Sequence, residues 1–196
     1  MPYIRECVIT TVSAKGVIHI APIGIIQERD GWVIAPFRPS ATLDNLSQVP
    51  FAVANYTDDA RIFAGCLTGR KEWPTVPVEG FKVPRLKAAL AHSALEVVSI
   101  DDDGTRPRHF CRVVAEEMHA PFTGLNRAKA AVLELAILVS RLGMLPREKI
   151  EAELAYLEIA IDKTAGPDER EAWGWLMERV ATHFTNTDSK GSDVRD

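Results

Sequence analysis

The hydrophobic pattern of this chain changes its period once, near Pro121, and that change restricts the folds open to it. Before that point apolar residues fall in short, β-branched runs separated by turn-forming residues; beyond it they recur at helical spacing. A chain so divided builds several short strands first and helices second, which argues for a small barrel rather than a parallel sheet.

Strands are predicted over 4–12 and 17–27, joined across Lys15-Gly16, and over 32–37 after a hairpin turn at Asp30-Gly31. A buried strand over 51–56 follows Pro50, and a late hairpin pairs 94–100 with 110–119. Two short helices are predicted over 40–48 and 59–68, and the segment 72–85 reads as turns because it holds Pro74, Pro77, Gly80 and Pro84. After Pro121, Ala128, Ala131, Val132, Leu135, Leu138, Val139 and Leu142 trace one helix, which Gly143 ends. A second helix from Pro146 aligns Ile150, Leu154, Leu157 and Ile161. A third, from Gly166-Pro167-Asp168, turns Trp173, Leu176, Val180 and Phe184 inward. Residues 185–196 are polar and lack a stripe. The expected organisation is a barrel domain over 1–121, a helical segment over 122–186 and a disordered tail over 187–196.

Composition excludes some functions. With 23 basic and 27 acidic residues the net charge is −4, so no nucleic-acid partner is expected. The longest apolar stretch, 130–139, contains Glu134 and is about half the ~20 residues that span a bilayer, so no membrane association is expected. Residues 1–11 carry Arg5 and Glu6 and do not form a signal peptide, which predicts a cytoplasmic protein. The three cysteines, Cys7, Cys66 and Cys111, are widely spaced and predicted to be reduced side chains, mostly buried. No two of the five histidines lie three to five residues apart, so no metal site is expected. There is no Ser/His/Asp or Cys/His signature, no P-loop and no dinucleotide fingerprint. Any chemistry is therefore expected from a bound cofactor, with the catalytic residues unknown.

Four segments carry binding potential. In Phe37-Arg38-Pro39-Ser40-Ala41-Thr42 a strand runs into a helix, and Pro39 turns the chain. Ser40 or Thr42 falls near the N-cap, where hydroxyls, free amides and Arg38 suit a phosphate. A plain cap with a solvated Arg38 accounts for the same spacing and is the simpler reading. Asn126-Arg127-Ala128-Lys129 places two cations in a helix's first turn, against its dipole; an opposing anion and a solvated face explain this equally well. His19-x-Ala21-Pro22-x-Gly24 puts a proline in a strand, hence at an edge or bulge, with Gly24 allowing close backbone approach and His19 as a ligand contact or a structural residue. Asn55-Tyr56-Thr57-Asp58 leaves its strand with polar groups, as a ring's rim or a turn would require.

These four motifs, in this order, resemble a family of archaeal and bacterial proteins of unassigned activity in the flavin-reductase-like, FMN-binding split-barrel group. Its members have a C-terminal helical segment, and the resemblance spans about 4–184. It implies an α+β, mainly β fold: a six-stranded antiparallel split β-barrel with a helical extension, acting as a homodimer with FMN near the subunit interface. By analogy Arg38, Ser40 and Thr42 hold the flavin phosphate and Asn45 supports their loop. His19, Pro22, Gly24 and Asn55 lie near the ring, while Asn126, Arg127 and Lys129 complete the pocket from the other subunit. The function implied is an FMN-dependent oxidoreductase acting on a small molecule, with a contextual link to one-carbon and pterin metabolism. The alternative is a non-catalytic flavin, deazaflavin, haem or pterin binder, or an assembly partner on the same scaffold. No nicotinamide-binding signature is visible, which leaves electron donor and acceptor open.

Overall fold

The structure is a computed structural model that describes residues 2–192. Two compact units emerge, one formed by residues 1–58 and 71–123, the other by 59–70 and 124–196.

The first unit is a closed antiparallel barrel. Its strands are β1 (Ile4–Val12), β2 (Ile18–Glu28), β3 (Gly31–Ile34), β4 (Phe51–Tyr56), β7 (Ala91–Asp101) and β8 (Arg108–Met118), in the order β1-β2-β3-β8-β7-β4. Helix α1 (Ala41–Gln48) joins β3 to β4. The proline-rich segment adds the two-residue strands β5 (Thr75–Val76) and β6 (Arg85–Leu86), which pair only with each other. Period-two alternation sends Cys7 and Ile9 of β1, Ile25 of β2, Ala52 and Ala54 of β4, Leu95 of β7 and Cys111 of β8 into one core with Trp32, Ile34 and Leu46. The opposite faces of β1 and β4 are covered too, because Val12 and Val53 pack against Val83. All three cysteines are reduced, and Cys66 is half-buried where the other two are buried.

The turn between β2 and β3 falls one residue earlier than Asp30-Gly31 suggests. Arg29 takes the left-handed conformation, φ 54°, and Gly31 opens β3. A Cβ on Gly31 would lie 2.2 Å from the Cys111 carbonyl oxygen, so the glycine is required by close approach to β8 rather than by turn geometry. The returning strand also ends at Ile34, short of Phe37.

The second unit is helical: α2 (Ala60–Leu67), α3 (Arg127–Val139), α4 (Arg147–Thr164) and α5 (Pro167–Ser192). Although α2 lies between β4 and β5 in sequence, it packs with α3 and α5, so a single cut after residue 121 does not separate the units. Asp59 caps α2, accepting from the Arg61 amide at 3.1 Å. The Arg61 guanidinium bonds Asp59 and reaches Asp168 in the first turn of α5 at 3.0 Å. Helix α5 continues through Ser192, where a disordered tail from 187 is expected from sequence; residues 193–196 lie outside the described ones. The α4 stripe is only partly inward, with Ile150 and Ile161 buried and Leu154 and Leu157 half-buried. On α5, Ala172, Leu176 and Val180 are buried while Trp173 and Phe184 are half-buried.

Barrel closure between β1 and β4 rests on Asn55, which is fully buried. Its Nδ2 donates to the Val8 carbonyl at 2.8 Å and also meets Thr10 Oγ1 and the Val53 carbonyl. Its Oδ1 accepts from the Leu86 amide at 2.7 Å. Asn55→Ala should therefore destabilise the protein by about 2–4 kcal/mol, since it leaves several buried groups unpaired. Urea unfolding monitored by tryptophan fluorescence would measure this, and a loss below about 0.5 kcal/mol would contradict the role.

Candidate functional site

The segment between β3 and α1 is held open from one side by the β7–β8 turn. The Arg106 guanidinium donates to the Ala35 carbonyl at 2.6 Å and lies over the Phe37 ring, 4.7 Å from its centroid. The Arg38 amide donates to the Thr105 carbonyl at 3.2 Å, and the Arg38 guanidinium pairs with Asp102. The turn itself is ordered by carboxylates: Asp102 accepts from the Gly104 amide and Asp103 from the amides of Thr105 and Arg106. Those last two bonds, Arg106 first, hold the Asp103 carboxyl below its ordinary range.

Ser40 occupies the N-cap of α1 with extended backbone, yet its hydroxyl makes no capping hydrogen bond. The helix end thus retains its amide donors, an unengaged hydroxyl and a neighbouring guanidinium, which is what a phosphate monoester requires. A guanidinium has five N–H donors, so the bond to Asp102 leaves Arg38 donors to spare. Thr42 and Asn45 are buried, which makes Arg38 and Ser40 the accessible parts of this cradle. Asn45 has a supporting role: its Nδ2 donates to Thr11 Oγ1 at 3.0 Å and pins α1 to β1.

Thr11 lies directly opposite His19 in the β1–β2 ladder, so the anchor of α1 leads straight to that histidine. His19 is half-buried, and burial, followed by the charge of Lys71, lowers its pKa. The adjacent Ile18 and Ile20 form one wall of a cleft of about 360 Å³, with Trp73, Pro74 and Lys71 across it. Pro22 pairs with Val8 on a strand whose other edge meets β3 only from Ile26 onward, so its missing N–H falls where the ladder can spare it.

Other predicted contacts are engaged elsewhere. Asn55 is buried, with its Nδ2 engaged at the β1–β4 seam and its Oδ1 by the Leu86 amide, so it does not present a polar rim to a ring. The close approach at Gly24 is made by β1 itself, because a Cβ there would meet Ile4 Cγ2 at 2.9 Å and Glu6 Oε1 at 3.0 Å. Asn126, Arg127 and Lys129 belong to the helical unit. Asn126 caps α3, accepting from the Ala128 and Lys129 amides at 2.8 and 3.2 Å and donating to the Thr164 carbonyl, while Arg127 is exposed.

Polar groups with no local sequence signature also emerge. His109 is buried in β8, its Nδ1 lacks a hydrogen-bond partner among the described residues, and Asp102 and Arg38 are near enough to affect its charge. Tyr56, Ser93 and Glu116 form a hydrogen-bonded chain with spacings of 2.8 and 2.6 Å. The Arg5 guanidinium lies 4.8 Å from the Trp32 ring and 5.0 Å from that of Tyr56.

A closed six-stranded antiparallel barrel with helices after it is a split-barrel fold with a C-terminal helical segment. The chain belongs to the DUF447 family: residues 5–120 match its N-terminal domain, described as a protein of unknown function, and residues 126–178 match its C-terminal part. Among solved structures it is similar to the FMN-bound protein MM1853 from Methanosarcina mazei, of the same family. The TM-score is 0.77 at 22% identity, over 90% of this chain and 94% of that one. It is also similar to the 2-nitrobenzoate 2-nitroreductase NbaA from Pseudomonas fluorescens, with TM-score 0.51 and 21% identity over 60% of this chain. The match spans 64% of NbaA, less than two thirds of its length. At these identities the likeness is one of fold. No curated protein matches the sequence. No helix among the described residues is long and apolar enough to cross a membrane.

Burial is the leading cause that places His19, His92 and His109 below the ordinary imidazole value of 6.5. A lowered folded pKa means that the unfolded chain takes up protons first as pH falls. The stability these neutral rings contribute is complete above 6.5 and declines from there towards their folded values. Urea midpoints should fall between about pH 6.5 and 5, and His109→Gln should flatten part of that decline. An identical decline in the variant would show that His109 titrates normally.

Proposed function

We propose that this protein is an FMN-binding flavoprotein of the oxidoreductase type, with its phosphate site at Arg38, Ser40 and the N-terminus of α1. The observation that carries this reading is the Ser40 hydroxyl, which makes no capping bond, at a helix end flanked by an oriented arginine; the same barrel also bears a cleft lined by Ile18, Ile20 and Trp73. A flavin mononucleotide has that combination of parts: a phosphate for the cradle and a flat ring for the cleft. The cleft's ~360 Å³ lies in the range of small-molecule sites, about 300–1,000 Å³. The FMN-bound MM1853 structure supports the choice of ligand.

Bound FMN would supply two-electron exchange with a small substrate. The chain's part is to fix the phosphate and to line the ring with Ile18, Ile20 and Trp73. Arg38→Ala removes a charge-assisted contact worth about 1.5–3 kcal/mol, so affinity for FMN should fall roughly ten- to a hundredfold. Riboflavin, which has no phosphate, should bind variant and wild type alike. Fluorescence titration with both ligands measures this, and equal losses for the two would overturn the phosphate assignment.

We further propose that the functional unit is a homodimer. Val98 and Ile100 of β7 and Val114 and Met118 of β8 are 43–76% exposed, an apolar set on one hairpin that favours burial against a second copy. Light scattering at low micromolar concentration should give twice the 21.6 kDa chain mass, and Ile100→Lys should shift the population towards monomer. A wild-type monomer would refute the proposal.

A further inference from the structure

At the open end of the β7–β8 hairpin three metal-ligating side chains converge that no local spacing connects. His92 stands opposite Glu117 in the ladder, and His119 follows two residues on, so strand alternation sends all three to one face. Pairing persists past the end of β8, since the His119 amide donates to the Leu90 carbonyl at 2.7 Å. One ligand atom from each side chain lies within 4.8 Å of the others. His92 Nδ1 is 2.8 Å from His119 Nε2, and His119 Nδ1 is 3.9 Å from Glu117 Oε1. The two rings are parallel within 5° with centroids 5.1 Å apart, and with nitrogens so much closer than the centroids they meet edge to edge.

We propose that His92, Glu117 and His119 bind a divalent transition-metal ion of the zinc class, leaving one coordination position for water or an external ligand. Two imidazoles and a carboxylate are a complete protein donor set for such an open site. A tetrahedral ion with bonds of about 2.0–2.1 Å holds its donors roughly 3.3 Å apart, so the two histidines need to part by only a few tenths of an ångström. His119 lies just past the end of β8 and Glu117 has a 67% exposed side chain, so both can adjust. A simple imidazole pair explains less: Glu117 is too far away to hydrogen-bond. His92 is 2% exposed, and the ring nitrogen it turns to the cluster is Nδ1, the one facing His119 Nε2. Arg85 is the nearby cation that opposes a metal, and Glu116 and Glu117 offset it.

This site is distinct from the phosphate cradle and independent of the flavin reading. His92 lies near the start of β7 and Asp101 at its end, nine residues on and therefore about 30 Å away along the strand.

The test is titration of untagged, chelator-stripped full-length protein with Co²⁺, without added flavin, followed by visible absorption. One Co²⁺ per chain should give the d–d bands of a four-coordinate ion, and Zn²⁺ should displace it. Glu117→Ala and His119→Ala should each weaken binding at least about tenfold with an unchanged circular dichroism spectrum. His92→Ala is left aside because a buried truncation could unfold the strand. Absence of d–d bands, unaltered affinity in both variants, or thiolate-to-cobalt charge transfer would each overturn the proposal.

Discussion

Closing a sheet into a barrel requires its end strands to meet, and here β1 and β4 meet over only three residue pairs: Val8–Asn55, Ile9–Ala54 and Thr10–Val53. So short a seam needs reinforcement, and the Asn55 amide supplies it from the outer face. In water those bonds would be nearly neutral exchanges; in a fully buried position each unmet group costs about 1–3 kcal/mol, so the seam is held by the penalty for opening it. The same amide fixes the Leu86 amide, while Thr10 fixes the Pro84 carbonyl at 2.7 Å, and so the proline-rich segment stays on the barrel. That segment carries Trp73 and Pro74, one wall of the cleft beside His19. A strand-closure interaction and a binding surface thus share a covalent path of about a dozen residues.

The cradle depends on a second long-range device. Neither Arg38 nor Ser40 belongs to a strand, and both would be free to wander without the β7–β8 turn. Asp102, Thr105 and Arg106 hold that stretch through side chain and backbone, and the turn is stiffened by its own Asx bonds. Asp102 also places a negative charge next to the arginine. It orients the guanidinium, yet a bound phosphate must share the guanidinium with it, which is compatible only because arginine presents several donors at once.

The hairpin β7–β8 therefore organises polar chemistry at both ends: a carboxylate-rich turn under Arg38 at one, and His92, Glu117 and His119 at the other. The separation follows from strand geometry, since eleven extended residues keep the two groups far apart. In the helical unit the analogous long-range work falls to Arg61, which links the cap of α2 to the first turn of α5.

Much of this was legible in sequence. The period change near Pro121, the strand after Pro50, the α1 cap at Ser40 and the loss of periodicity across the prolines follow from local steric and hydrophobic rules, and the elements appear where those rules put them. What local rules could not reveal was which side of a competition each polar residue serves. Asn55 looks the same in sequence whether it faces a ligand or a buried carbonyl, and only the β1–β4 register makes it a structural clamp. Gly31 resembles a turn glycine, but the Cys111 carbonyl of a strand 80 positions away decides its role. Helix α2 groups with α3 and α5 through long-range contacts such as Arg61 with Asp168, 107 residues on. The histidines, scattered at 19, 92, 109, 119 and 183, show no ligand spacing, yet the β7–β8 ladder sets two of them beside Glu117. Sequence by itself determined most of the elements and the turn into α1, because those depend on residues within a few positions of one another. Tertiary structure decided the barrel's clamp, the walls of the cleft and the His–Glu–His cluster, because cross-strand neighbours are set by register.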